Sequence, residues 1–153
     1  MCLMEVLVQG LDVTFLFHFY CTVFMAGLIW TIQIVHYPSF GFVKEDRYRE
    51  FQHFHMSRIT YIVGPLMIIE VLTGALVLYK NYTNIPYVIS VVLLALIWLN
   101  TAFLNVPIHN KLLSKGDEGL FKQLVLSNWP RTILWSIRSF LISYIYLTNS
   151  LNS

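Results

Sequence analysis

Residues 55–70 read HMSRITYIVGPLMIIE, and this stretch decides the class of fold. It opens with His55 and Arg58, side chains suited to a membrane surface, and then runs uncharged to a carboxylate, Glu70. An ionisable group inside a bilayer-spanning helix costs about 2.5–3.5 kcal/mol on insertion scales, so it faces a bundle interior and has a partner. Glu70 lies eleven residues beyond Ile59, about 17 Å along a helix at 1.5 Å per residue. The rest of the chain reads as the bundle that makes this carboxylate tolerable.

Outward from that stretch, the composition agrees. The chain is 57% apolar and 12% charged, about half the charge content of a soluble domain. The charges cluster, and none occurs between Asp12 and Lys44, between Arg58 and Glu70 or between Lys80 and Lys111. No basic patch of the kind that binds nucleic acid is present. Cys2 and Cys21 are too few for a disulfide framework and form no CxxC motif. The first residues lack the basic region and cleavage site of a secretory signal.

Four runs are long enough to cross a hydrocarbon core, which takes about 20 residues of helix. They cover about 13–36, 59–79, 85–106 and 132–147. The last is the shortest and carries Arg138; Trp129 and the Tyr144–Tyr146 pair mark its two interfaces. The runs lack the period-two alternation of strands. The expected fold is therefore all-α: one polytopic domain over 1–153, an antiparallel four-helix transmembrane bundle with short amphipathic cytoplasmic helices.

Orientation follows from basic residues. Lys44, Arg47, Arg49 and Arg58 precede span two, and Lys111, Lys115, Lys122 and Arg131 precede span four, against Lys80 alone on the other side. That bias places both long connections in the cytoplasm and both termini outside an inner (plasma) membrane. Segment EDRYREFQHFHMSR has the spacing of an amphipathic surface helix leading into span two. In the second connection, Lys115-Gly116-Asp117 reads as a turn, and Ser127 or Asn128 as the cap of the last helix, with Pro130 in its first turn.

Two groups of polar residues carry the chemistry. Arg138, six or seven residues into span four, reaches the depth of Glu70, and Asn100 in span three is placed to join them. The pair reads either as a structural ion pair or as a site that handles protons. The second group lies at the cytoplasmic ends, where His36, His55 and His109 arrive from three segments. Imidazole is the commonest metal ligand and also ligates haem, so these three are the candidate ligands of a transition metal or haem. Asn105, Arg58 and Arg131, together with Asn100, are the candidate ligand-binding residues. His18 stands alone at its depth and reads as a hydrogen-bonded core residue.

The motifs IVHYPSF, FHMSRITYIVGPLMIIE, WLNTAFLNVPIHNKLL and NWPRTILWSIRSFL together resemble a family of small, uncharacterised four-span bacterial integral membrane proteins. The resemblance runs from about Gly27 to Leu141. It implies architecture and bacterial origin, and it carries no catalytic role. A looser similarity, with no aligned motif, is to anthrone-oxygenase-like four-span proteins.

Three function classes follow. The first is a membrane-embedded redox or metal- or haem-binding module built on the histidine layer. The second is a small proton-coupled transporter using Glu70; the strong orientation bias and the position of Glu70 in span two distinguish it from small multidrug exporters. The third is a structural or assembly subunit of a larger membrane complex, or a homo-oligomer. In each case the bilayer is the first partner.

Overall fold

The computed structural model describes residues 13–114 and 117–151. Cys2, Lys115 and Gly116, on which part of the preceding reading rests, lie outside the described residues. The chain runs as α1 (Val13–Thr31), a π turn (Ile32–His36), a 3-10 turn (Pro38–Phe42), α2 (Glu45–Lys80), α3 (Ile85–Asn100), a second π turn (Thr101–Asn105), α4 (Val106–Ser114) and α5 (Glu118–Leu151). No strand occurs among the described residues. Three stretches are long and apolar enough to cross a membrane: Val13–Phe42, Asp46–Lys80 and Ile85–Ser114. Large apolar side chains such as Phe17, Leu72, Leu99, Phe103 and Phe140 face outward, as suits helices surrounded by lipid.

Both π turns end two residues before a proline, Pro38 and Pro107. A proline ring clashes with the carbonyl four residues earlier. Those carbonyls belong to Ile34 and Phe103, inside the widened turns, where the extra residue relieves the clash. In the first turn the Tyr37 N–H reaches back to the Ile32 carbonyl at 2.9 Å. The turns also shift the faces of the helices so that Gln33 and Asn105 are buried.

Helix α2 differs from the expected surface helix followed by a span. Its 36 residues are continuous, with Pro65 inside. Tyr48, Gln52 and His55 make a buried stripe along its first half, while Arg47, Glu50, His53 and Arg58 are exposed. That stripe packs against the rest of the fold.

The expected cap at Ser127 or Asn128 is also overturned. Helix α5 starts at Glu118 and is 34 residues long, and Asp117 Oδ1 accepts the Leu120 N–H at 3.1 Å. Ser127 instead donates to the Leu124 carbonyl at 3.0 Å, and Pro130 sits in the helix interior. Leu124 is fully buried in the same core as Trp135, so apolar packing extends the helix past the polar residues that would otherwise end it.

The core has two parts. One gathers Met25, Ile29, Met67, Ile97, Leu124 and Trp135; the other gathers Phe15, Val77, Tyr87, Ile142 and Ile145. Between them on every long helix lies a polar residue: His18 and Thr22 on α1, Glu70 on α2, Ser90 on α3 and Arg138 on α5, all buried.

Candidate functional site

That polar layer is sealed. Glu70 and Arg138 are both wholly buried and form an ion pair through Oε1 and Nη1. The carboxylate also accepts the Thr22 hydroxyl on Oε1 at 2.9 Å and the Trp135 indole N–H on Oε2 at 3.2 Å. Arg138 Nε donates to the Ser90 carbonyl at 3.1 Å, and Nη2 donates to His18 Nε2 at 2.9 Å. Since Nε2 accepts, His18 carries its proton on Nδ1 and gives it to Thr73 Oγ1 at 2.9 Å. Thr73 passes its own proton to the Ile69 carbonyl at 2.7 Å. Three side chains, Thr22, Trp135 and His18, and the Ser90 carbonyl supply the hydrogen bonds that a buried charge pair needs.

Two placements here correct the sequence reading. His18 does not stand alone: it is the third member of the Glu70–Arg138 cluster. Its spacing from Thr22, one helical turn on the same face, was the sequence signal for it. Asn100 joins neither charge, and its Oδ1 is buried without a hydrogen-bond partner. Gly74 makes the histidine's seat, since a Cβ there would stand 3.0 Å from His18 Cε1.

The histidine layer also assembles, through hydrogen bonds within the layer and with its neighbours. His36 Nε2 and His55 Nδ1 are 2.7 Å apart, and the His55 and His109 rings stack at 5.5 Å. Gln52 Nε2 lies 3.0 Å from His109 Nδ1 and 3.5 Å from the His109 carbonyl. A carbonyl only accepts, so the Gln52 amide donates and His109 Nδ1 is an acceptor. His109 Nε2–H then donates to the Tyr37 hydroxyl oxygen at 3.1 Å. Among the described residues, no group of three or more His, Cys, Asp or Glu side chains is arranged to hold a metal ion.

Beside this layer is a cavity of about 290 Å³ whose lining includes Tyr37, Asn105, His109 and Arg131 with Met56, Val63 and Met67. It adjoins an apolar cleft of about 760 Å³ between α2 and α3, and both are bounded by Ile68 and Trp98. The cleft opens sideways, since Ile68, Leu72 and Trp98 are exposed on the lipid-facing surface. The cavity floor is unusual in three respects. Arg131 is 5% exposed, yet no carboxylate among the described residues pairs with it; Glu70 is engaged by Arg138. Its Nη1 donates to Asn128 Oδ1 at 3.2 Å, its guanidinium stacks on Trp135 at 5.2 Å, and its Nε is buried without a partner. Asn105 donates to Ser127 at 3.2 Å, while its Oδ1 is likewise unpartnered.

Arg58 stands apart from this floor, exposed and stacked on Phe54 at 5.5 Å. The sequence reading assigned no site role to Tyr37, Gln52 or Trp135, and it placed Gln33 one turn before His36. Gln33 Oε1 accepts from Asn128 at 2.8 Å, and Gln33 Nε2 donates to the Val125 carbonyl at 3.1 Å, which ties the first π turn to α5. Trp135 separates the two sites, with its face under Arg131 and its N–H on Glu70. The spacing of Arg131, Trp135 and Arg138, four and then three residues apart, marks one face of a helix and was the available signal. No protein-family model matches the chain, and no curated protein or solved structure matches it either.

Proposed function

We propose that the chain is a four-span inner-membrane protein that takes an amphipathic small molecule sideways from the bilayer into the cleft between α2 and α3. The bundle is antiparallel, with both termini outside the cytoplasm, and belongs with the bacterial four-span proteins it resembles. The order of core residues supports this arrangement. Phe15, His18 and Met25 ascend on α1, while Met67, Glu70 and Val77 run from the opposite core cluster on α2. The eight-to-one basic bias supports the orientation.

The observation that carries the functional reading is the cavity itself. It has Tyr37, Asn105, His109 and Arg131 on its lining and shares Ile68 and Trp98 with the wide apolar cleft. Ligand sites are concave and mostly apolar, with a few convergent polar groups that orient the ligand. The Glu70–Arg138 layer is wholly buried with both charged groups engaged, which supports a role in holding the bundle together. A redox or metal-holding role for His36, His55 and His109 requires the His36–His55 bond to open and His109 to leave Gln52 and Tyr37.

The test is a diazirine-bearing alkyl probe added to the full chain in lipid nanodiscs, with crosslinks mapped by mass spectrometry. Crosslinks concentrate on Ile68, Leu72 and Trp98. A Cβ at Gly64 meets nothing closer than Thr60 Cγ2 at 3.8 Å, so Gly64→Leu fills the smaller cavity without a backbone clash and lowers the labelling of Ile68 and Trp98, which line both. Labelling spread evenly over outward residues such as Phe103 and Phe140, and unchanged in Gly64→Leu, would sink the reading.

A further inference from the structure

We infer that the ligand's head group is an oxyanion, a carboxylate or phosphate, received by Arg131 and the Tyr37 hydroxyl. This rests on the cleft being a ligand site and adds the class of ligand. The first reason is charge. A guanidinium is always protonated, and Arg131 is buried with no carboxylate among the described residues to balance it. A buried unpaired charge is costly, and its usual remedy is a counter-ion. The paired arginine of the same helix, Arg138, shows what this fold does with a guanidinium that is to be left closed.

The second reason is the direction of the hydrogen bonds. His109 Nε2–H donates to the Tyr37 oxygen, and the Arg131 side chain lies against that same hydroxyl. Both neighbours are donors, so Tyr37 keeps its own proton for an acceptor elsewhere. Arg131 Nε–H is also unpartnered. The Tyr37 hydroxyl and the Arg131 guanidinium, both from residues that line the cavity, therefore bring a donor and a positive charge, which complement an oxyanion. The apolar cleft above requires the rest of the molecule to be hydrocarbon.

The chemistry is shared by a free fatty acid and by an anionic phospholipid, and the experiment separates them. Competitors of the diazirine probe on the full chain in nanodiscs of neutral phosphatidylcholine are dodecanoate, its methyl ester, dodecylamine and dioleoyl phosphatidate. Dodecanoate or phosphatidate displaces the probe, and which of the two does so identifies the source. The methyl ester and the amine displace it at least about tenfold less well, since a hydrogen bond to a charged group contributes about that factor. Arg131→Gln removes the preference for the acid over its ester, and Arg131→Lys, which keeps the charge, retains it. Tyr37→Phe weakens acid binding without reversing the preference, and the exposed control Arg47→Gln leaves it unchanged. Equal competition by acid and ester in the native chain, or a preference that survives Arg131→Gln, overturns the inference while leaving the cleft as a site. A probe that never enters the cleft defeats the earlier reading instead, and is recognised by its scattered crosslinks. Should Arg131→Gln not fold, the lysine variant and the native chain's acid-to-ester ratio decide the matter.

Discussion

Arg138 Nη2 donates to His18 Nε2 at 2.9 Å, so the imidazole faces the arginine as an acceptor, in its neutral form. The ring serves as a spacer between the guanidinium of α5 and Thr73 of α2, and a hydrogen-bond chain runs from Arg138 to the Ile69 carbonyl. His18→Ala takes the acceptor from the buried Arg138 Nη2, while Thr73 keeps its bond to the Ile69 carbonyl. A buried donor left unsatisfied costs about 1–3 kcal/mol, more when charged. The variant should unfold at lower denaturant, and His18→Gln, which restores an acceptor, should recover part of the loss. Equal losses in the two variants would show that packing alone matters there.

Glu70 and Arg138 should be strongly coupled. Removing one partner of a buried pair typically costs about 3–5 kcal/mol, so Glu70→Ala and Arg138→Ala should each destabilise severely. The double replacement should cost clearly less than the sum. Glu70→Gln with Arg138→Gln should fold and keep ligand binding, since the layer holds the bundle together. A folded double-glutamine variant that fails in proton-coupled uptake by proteoliposomes would restore the transporter reading.

Gly74 and Gly27 should respond oppositely to alanine. Alanine favours a helix interior over glycine by about 1 kcal/mol, and at Gly27 nothing stands within 4 Å of the new Cβ. Gly27→Ala should therefore be neutral or stabilising. At Gly74 the Cβ meets His18 Cε1 at 3.0 Å, and His18 is held at both nitrogens. Gly74→Ala should be destabilising, and adding His18→Ala should remove that specific penalty. Thermal unfolding in one detergent of the native chain, Gly27→Ala, Gly74→Ala, His18→Ala and the Gly74→Ala/His18→Ala double variant measures both.

The histidine layer should not retain metal. The facing nitrogens of His36 and His55 are 2.7 Å apart, too close for an ion bound to each at about 2.0–2.1 Å with the wide angle of tetrahedral zinc. Protein purified after growth with added iron, copper and zinc should carry none in stoichiometric amount, and no Soret band. Stoichiometric metal that is lost in His36→Ala, His55→Ala and His109→Ala alike would show that the layer rearranges to bind it.

Orientation is tested by labelling. With Cys2 and Cys21 replaced, cysteines at Arg47 and at Glu118 should be shielded from an impermeant thiol reagent in intact cells, and one at Asn152 should react. The reverse pattern would invert the topology.

What the sequence determined by itself was the class of molecule and the two polar levels in it. Uncharged runs of helical length have one low-energy setting, lipid, and a carboxylate and a guanidinium at similar depth in such runs have few partners besides each other. Hence Glu70 and Arg138, and the gathering of His36, His55 and His109, were legible from depth alone. The tertiary structure decided everything that depends on the facing of side chains. The π turns before Pro38 and Pro107 rotate Gln33 and Asn105 inward, packing at Leu124 carries α5 back through Ser127 and Asn128, and Gly74 admits His18 to the ion pair. It also decided that, among the described residues, Arg138 is paired with a carboxylate and Arg131 is not. Both arginines lie on one face of one helix, but only the first stands opposite a carboxylate, because which residues face each other across helices is set by packing angles and turn geometry that no linear spacing records.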